Sequence, residues 1–158
     1  MKRGSTIFLR CVLFLIAIVA LMGLIWFPQT EGRAVGLDLV SIYSDPLIIY
    51  TYIGSIPFFI ALYYAYTLLG YVDSNKIFSH AAVRAVRNIK YSAIAVVGFL
   101  VAAIFYIRVM VQGDDASGPT MLGFVTTFTA IVIAVVAAIS QRLLSHAVDI
   151  QSENDLTV

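Results

Sequence analysis

Charged residues are scarce in this sequence, and long stretches lack them altogether. Only 12% of the 158 residues are Asp, Glu, Lys or Arg, whereas 61% are hydrophobic, and the mean hydropathy is +0.94. A water-soluble fold of this size buries only about two thirds of its chain's surface, so it cannot hide so much apolar area. The composition excludes a soluble globular domain and predicts an integral membrane protein.

Four apolar runs account for this hydrophobicity. A helix needs about 20 residues to cross the hydrocarbon core, and its backbone must satisfy its own hydrogen bonds there. The predicted spans cover residues 6–27, 46–72, 91–111 and 119–140. The segments predicted on the cytoplasmic side are 1–5, 73–90 and 141–158. The fold class that follows is all-α, with residues 1–158 forming one integral membrane four-helix bundle.

Catalytic groups are missing from these spans, which contain no Asp, Glu, His or Lys. The sequence has no Gly-x-Ser-x-Gly or His-Glu-x-x-His motif, and the two histidines lack a metal-ligand spacing. The single cysteine, Cys11, cannot form an internal disulfide. We therefore expect no enzyme activity, no catalytic residues, no metal site and no cofactor.

Proline is also rare, and its four positions predict helix ends and one kink. Asp45 followed by Pro46 is typical of an N-cap and a first helical residue. Pro28 is predicted to end the first span. Pro57 lies inside the second span, where it removes a backbone hydrogen bond, and Ser55 is predicted to satisfy the carbonyl that Pro57 frees.

Basic residues are distributed unevenly among the segments that flank the spans. Arg33 and Arg108 fall on one side of the predicted membrane. The other eight fall on the opposite side: Lys2, Arg3, Arg10, Lys76, Arg84, Arg87, Lys90 and Arg142. The positive-inside rule therefore places both termini and the 73–90 connection in the cytoplasm. Arg108 lies near a span end and is expected to extend towards Asp114 or Asp115.

The connection between spans two and three predicts a short amphipathic helix that begins after Ser79 and runs into span three. Its basic residues are His80, Arg84, Arg87 and Lys90, the first three on one face. Two roles of these basic residues stay open. They attract anionic lipid headgroups, or they form the docking surface for an acidic protein. Direct nucleic-acid binding is not expected, because the formal net charge is only +1.

Helical periodicity continues beyond the fourth span as far as Ile150, which predicts a cytoplasmic extension of that helix. The acidic tail that follows contains Glu153, Asn154 and Asp155, which are candidate partner-binding residues together with the basic residues of the amphipathic helix. We expect this tail to fold back onto the basic helix, although exposed ion pairs of this kind are individually weak.

Two further patterns concern the interior of the bundle. Small residues at helical spacing, Ala130, Ala134 and Ala138 in span four and Ala95, Gly98 and Ala102 in span three, predict close packing of these spans. Tyrosines of span two fit an aromatic belt at the headgroups. The alternative is a ligand cavity beside the proline kink, for which Ser55, Pro57, Tyr63 and Tyr66 are the candidates.

Several segments resemble a bacterial membrane family known as domain of unknown function 2975. They are MKRGST at 1–6, SIPFF at 55–59, NK at 75–76, FS at 78–79, NIKY at 88–91 and IQSENDLTV at 150–158. The resemblance implies a four-span protein of the bacterial cell membrane. Members are often encoded beside a small helix-turn-helix regulator, which implies the membrane component of a regulatory pair, and the resemblance carries over no catalytic residue.

The functional prediction is therefore a non-enzymatic accessory or regulatory membrane protein that binds a cytoplasmic partner, such as a small helix-turn-helix regulator. The alternative is a small-molecule or ion-conducting protein, with an oligomeric pore or a cavity around Pro57. The predicted partners are therefore the lipid bilayer and this cytoplasmic protein. The sequence does not decide whether the chain also forms a homo-oligomer.

Overall fold

Helices form all the regular structure of residues 3–30, 36, 38–110 and 117–157, which are the residues that the computed structural model describes. The helices are α1 Arg3–Thr30, α2 Leu39–Tyr43, α3 Pro46–Asp73, α4 His80–Met110 and α5 Ser117–Leu156. Four of them, α1, α3, α4 and α5, are long and apolar enough to cross a membrane. The predicted all-α membrane bundle is confirmed.

Local sequence signals set both ends of α3. The Asp45 carboxylate accepts a hydrogen bond from the Leu47 amide at 2.8 Å, and Pro46 is the first helical residue, as predicted. At the other end, Asn75 has a φ of 56°, which lies in the left-handed region. This turn lets the Lys76 amide donate to the Tyr71 carbonyl at 2.8 Å, so the last turn of α3 is closed by a helix-ending motif.

The short helix α2 lies in the connection between α1 and α3. Asp38 caps it by accepting from the Ser41 amide at 3.2 Å. Hydrogen bonds from the Ser41 side chain and amide lower the pKa of the Asp38 carboxyl below its usual value. The cap is therefore present at neutral pH and is lost as the pH falls through this lowered pKa.

The predicted amphipathic helix is present as the first three turns of α4 and not as a separate element. Ser79 is its N-cap, because its hydroxyl accepts from the Ala82 amide at 3.3 Å. The helix then continues without a break to Met110, since residues 80–110 contain no proline. Its apolar residues Ala82 and Val86 are buried within the bundle. This stripe therefore packs against protein rather than lying on lipid.

The helices α4 and α5 form the main packing interface of the bundle. Along α5, residues that are buried or half-buried recur at alternating steps of four and three. They are Gly123, Thr127, Ala130, Ala134, Ala137, Gln141, Leu144 and Val148. Such a repeat averages 3.5 residues, which keeps one seam of the helix facing its neighbour along its whole length. The contact therefore extends from the predicted span well into the predicted cytoplasmic extension.

The predicted small-residue ridges are only partly correct. Ala130, Ala134 and Ala138 are all buried or half-buried in α5 as predicted, although Ala137 is more buried than Ala134 and Ala138. A row at steps of four rotates away from the neighbouring helix, whereas the 3.5-residue seam does not. The ridge predicted on α4 is wrong, because Gly98 and Ala102 are exposed. The small α4 residues that are buried near this level are Ser92 and Ala93.

The helices α4 and α5 approach each other closely at Gly123. A Cβ atom at this position would lie 2.9 Å from Cγ1 of Ile104, whereas a Cβ at Gly98 would meet nothing within 4 Å. Gly123→Val is therefore expected to destabilise the protein by about 1–3 kcal/mol through overpacking. Gly98→Val is the matched control and is expected to leave the melting temperature in detergent almost unchanged. Equal melting temperatures for the two variants would contradict this description of the seam.

The helix α1 contacts α3 and α2, and at one end tyrosines hold it in place. Pro28 does not end α1 as predicted, since the helix continues to Thr30 with the proline in its last turn. Because Pro28 lacks an amide hydrogen, it leaves the carbonyl of Leu24 without its helical donor. The Tyr52 hydroxyl donates to this carbonyl, and the Tyr43 hydroxyl donates to that of Ile25 at 2.7 Å. The Tyr52 side chain thus replaces the missing backbone bond, and Tyr43 adds a second contact one residue later.

The role predicted for Ser55 is wrong in its detail. Pro57 lies within α3, and the carbonyl it deprives of a donor is that of Ile53, four residues earlier. The Ser55 hydroxyl instead donates to the Tyr52 carbonyl at 2.6 Å. Serine in a helix reaches carbonyls three or four residues before it, and Ile53 is only two residues away.

Candidate functional site

One end of the bundle contains the contacts of charged side chains that join the long helices. It consists of the start of α1, the end of α3, the start of α4 and the end of α5, and we term it the polar end. Here Nη2 of Arg10 lies 3.0 Å from Oδ2 of Asp73, which joins α1 to α3. Nζ of Lys90 donates to Oε1 of Gln141 at 2.7 Å, which joins α4 to α5. This is the end that the sequence predicts to be cytoplasmic.

Three of the four predicted basic residues form an exposed stripe on α4 at the polar end. His80, Arg84 and Arg87 are all exposed, and none of them forms an ion pair within the described part of the chain. We term these three residues the basic stripe. Their positions at steps of four and three place them on one face of the helix. The positive charges of Arg84 and Arg87 are therefore free to attract an anionic surface.

Lys90 differs from these residues because it contributes to the packing of the bundle. Its ammonium group donates to Gln141 of α5 and lies 4.6 Å from the centre of the Tyr91 ring. Both contacts are within the protomer, and Lys90 is only half-exposed. Its geometry therefore fits the α4–α5 interface better than a docking surface.

The acidic tail extends away from the bundle, and the predicted fold-back onto the basic helix does not occur. The helix α5 continues to Leu156, its last buried residue is Val148, and residues 149–157 are all exposed. Glu153 and Asp155 form no ion pair with the described residues. The backbone bonds of a continuous helix hold this segment straight, and weak surface ion pairs do not overcome them.

An apolar groove lies between the α3–α4 connection and the extension of α5. Its volume is about 350 Å³, and it is lined by Leu68, Ile77 and Phe78 on one side and by residues of α5 that include Leu143 and Leu144. Phe78 and Leu143 are 57% and 67% exposed. The groove therefore places apolar surface directly beside the charged residues of the polar end.

A second groove separates α1 from α3, and it contains half of the predicted cavity residues. Its volume is about 280 Å³, and its lining is Leu13, Phe14, Ala17, Phe59, Leu62, Tyr63 and Tyr66. Tyr63 and Tyr66 both line this groove, whereas Ser55 and Pro57 do not. The lining is almost wholly apolar, so the groove is not the polar cavity that the tyrosines suggested.

Arg10 is the residue of this region that the sequence analysis overlooked. Its guanidinium group pairs with Asp73 and lies 5.1 Å from the centre of the Tyr66 ring, so it lies next to the end of the α1–α3 groove that Tyr66 lines. In the sequence, Arg10 contributed only to the predicted orientation of the protein. Its position inside the first predicted span was the available signal, because an ionisable residue in a span usually has a specific partner.

The remaining predicted features add no further site in the described part of the chain. Arg108 is exposed in the last turn of α4, while Asp114 and Asp115, its predicted partners, lie outside the described residues. Within the described ranges, no three His, Cys, Asp or Glu side chains lie close enough together to hold a metal ion.

Comparisons with known proteins agree with this architecture. The family described as a protein of unknown function (DUF2975) matches residues 29–158. An uncharacterized membrane protein of Bacillus subtilis (strain 168), YoaS, is 45% identical over 160 residues, which cover 100% of both chains. No solved structure matches the chain. With its four apolar helices, the chain is a multi-pass membrane protein and belongs to the DUF2975 family.

Proposed function

We propose that this protein is a non-enzymatic, regulatory or accessory membrane component that binds a small cytoplasmic protein at its polar end. The single observation that carries the proposal is the basic stripe, whose three residues are exposed and unpaired within the described part of the chain. An unpaired stripe of one sign favours a partner whose contact surface is acidic. The resemblance of the chain to its family makes a small helix-turn-helix regulator the first partner to test.

The extension of α5 supports the same surface. Residues 149–157 extend about 13 Å beyond Val148 at 1.5 Å per residue, and all of them are exposed. An isolated helix of this length gains little stability by itself. The apolar groove at its base offers Phe78 and Leu143, around which a partner can exclude water. Glu153, Asn154 and Asp155 would contact basic or amide groups of the same partner.

The experiment is a crosslinking pull-down from native membranes, followed by a binding assay with the purified regulator. The full chain is expected to capture a small helix-turn-helix regulator, and a chain that ends at Asp149 is not. Charge reversal of the stripe, Arg84→Glu with Arg87→Glu, is expected to weaken pairwise binding at least about tenfold and to reduce its salt dependence. Arg142→Glu is the matched control, because Arg142 is exposed at the polar end but lies outside the stripe.

Two outcomes would contradict the docking function. In the first, the truncated and charge-reversed proteins bind the regulator as tightly as the full chain does. In the second, no regulator is captured although immunoblots of the membrane fraction show that every variant is inserted. Failure of the truncated protein alone to accumulate would instead make the tail a structural part of the fold.

The alternative function, an oligomeric pore or a ligand cavity around Pro57, stays a prediction. The α1–α3 groove contains Tyr63 and Tyr66, but it lies beside α1 and its lining is apolar. A conducting path requires polar groups along its wall. We therefore place the docking function first.

A further inference from the structure

The α1–α3 groove faces the surroundings of the bundle and not its interior. Phe14 and Tyr63 of its lining are 59% and 66% exposed. Both lie within helices that are long and apolar enough to cross a membrane. An apolar surface of this kind offers water few hydrogen-bond partners, so the groove fits a hydrocarbon occupant.

The size of the groove matches one acyl chain better than a compact small molecule. Along α3 the lining runs from Phe59 to Tyr66, which corresponds to about 10 Å of helix. This is about two thirds of one leaflet of the hydrocarbon core. Its volume of about 280 Å³ falls just below the range of about 300–1,000 Å³ of typical small-molecule pockets.

A cation lies at the end of the groove where a lipid headgroup would be. Tyr66 both lines the groove and contacts the guanidinium group of Arg10 through its ring. Asp73 accepts from Nη2 of Arg10, while Nε of Arg10 is buried without a hydrogen-bond partner among the described residues. A guanidinium group has five donor hydrogens in a planar arrangement that suits phosphate oxygens. The Asp73 carboxylate therefore does not occupy all the donor hydrogens of the Arg10 guanidinium group.

The packing of α1 gives such a ligand a structural purpose. None of the most apolar 18-residue stretch of α1 is buried, and its contacts with the bundle are to α3 and α2. Residues 1–10 contain three basic residues and no acidic residue, so the sequence at the start of α1 has a net positive charge. An anionic headgroup would balance this excess, while its acyl chain would fill the space between the two helices.

We propose that the α1–α3 groove is a binding site for one anionic phospholipid, whose acyl chain lies against Phe14 and Tyr63 and whose phosphate accepts hydrogen bonds from Arg10. The lipid joins α1 to α3 at the polar end and comes from the leaflet on that side. This site is independent of the partner proposed for the basic stripe, and it needs no protein ligand.

Native mass spectrometry of the full chain in detergent, titrated with phosphatidylglycerol or phosphatidylcholine, tests the site. One retained phosphatidylglycerol is expected per chain, bound at least about tenfold more tightly than phosphatidylcholine, because only the former has a net negative headgroup. Arg10→Gln is expected to remove this preference. Ala17→Phe, which fills the groove, is expected to weaken the binding of both lipids. Ala102→Phe adds the same bulk at an exposed site on α4 and is expected to change neither.

Asp73→Asn separates lipid binding from a purely structural role of the ion pair. This variant breaks the same pair but leaves the Arg10 guanidinium group in place, so phosphatidylglycerol binding is expected to persist. Loss of lipid in Asp73→Asn as complete as in Arg10→Gln would overturn the proposal. Equal affinity of the unmodified chain for the two lipids would also overturn it. So would a dimer in the mass spectrum that Ala17→Phe converts to monomer, because the groove would then be covered by a second copy.

Discussion

Asp73→Leu is expected to destabilise the protein by about 2 kcal/mol, because it leaves Arg10 inside the first span without its counter-ion. Each of the two side chains is 31% exposed, so the cost is smaller than that of breaking a fully buried pair. The measurement is the melting temperature in lipid-free detergent, where no phospholipid can replace the carboxylate. Asp149→Leu, an exposed acidic position on α5, is the matched control and is expected to cost little.

The double variant Arg10→Leu with Asp73→Leu shows whether the two residues act as a pair. Removing both charges leaves no unpaired cation, so the double variant is expected to recover most of the stability lost in Asp73→Leu. Leucine at position 10 also suits the apolar run of α1. A double variant as unstable as the sum of the two single variants would show that the 3.0 Å contact carries no coupling energy.

The membrane spans could be predicted because their signals are local. Long uncharged runs and the Asp45–Pro46 start indicated the limits of α1 and α3 to within a few residues. The Ser79 N-cap and the periodicity as far as Ile150 likewise indicated that α4 and α5 extend beyond their apolar runs. In contrast, the Arg10–Asp73 contact joins residues 63 positions apart. No periodicity within either helix indicates this pairing, because it depends on how the two helices pack.

The sequence also did not indicate which face of each helix points into the bundle. Small residues occur on several faces of α4, so composition did not decide whether Gly98 or Ala93 faces the bundle. The structure buries Ala93 and exposes Gly98. In α5, the seam follows the 3.5-residue repeat through Ala137, and this repeat is apparent only once its partner helix is known.

The candidate site was predictable where it depends on exposure and not where it depends on packing. His80, Arg84 and Arg87 are exposed because charged residues on one helical face avoid the apolar interior. Lys90 lies on the same helix but reaches Gln141 of α5, which one-dimensional periodicity does not indicate. Likewise Tyr63 and Tyr66 line a groove because α1 packs beside them, which the sequence of α3 alone does not indicate.

Tyr52→Phe is expected to destabilise the protein by about 1–2 kcal/mol, since it leaves the Leu24 carbonyl without a donor in an apolar environment. This destabilisation depends on Pro28, because the missing amide hydrogen of Pro28 is what leaves the Leu24 carbonyl without its helical donor. Pro28→Ala restores an amide hydrogen at position 28. In the Pro28→Ala background, Tyr52→Phe is therefore expected to cost only about 0.5 kcal/mol.

Melting temperatures of the four proteins in this double-mutant cycle give the coupling between Pro28 and Tyr52. Tyr50→Phe is the matched control, because Tyr50 also donates to a helix carbonyl, that of Phe99, at 2.7 Å. No proline follows Phe99 at the fourth position, so that carbonyl keeps its own amide donor. The cost of Tyr50→Phe should thus be the same with Pro28 or Ala at position 28. A coupling for Tyr52 no larger than that for Tyr50 would mean that the proline does not create the need for this hydroxyl.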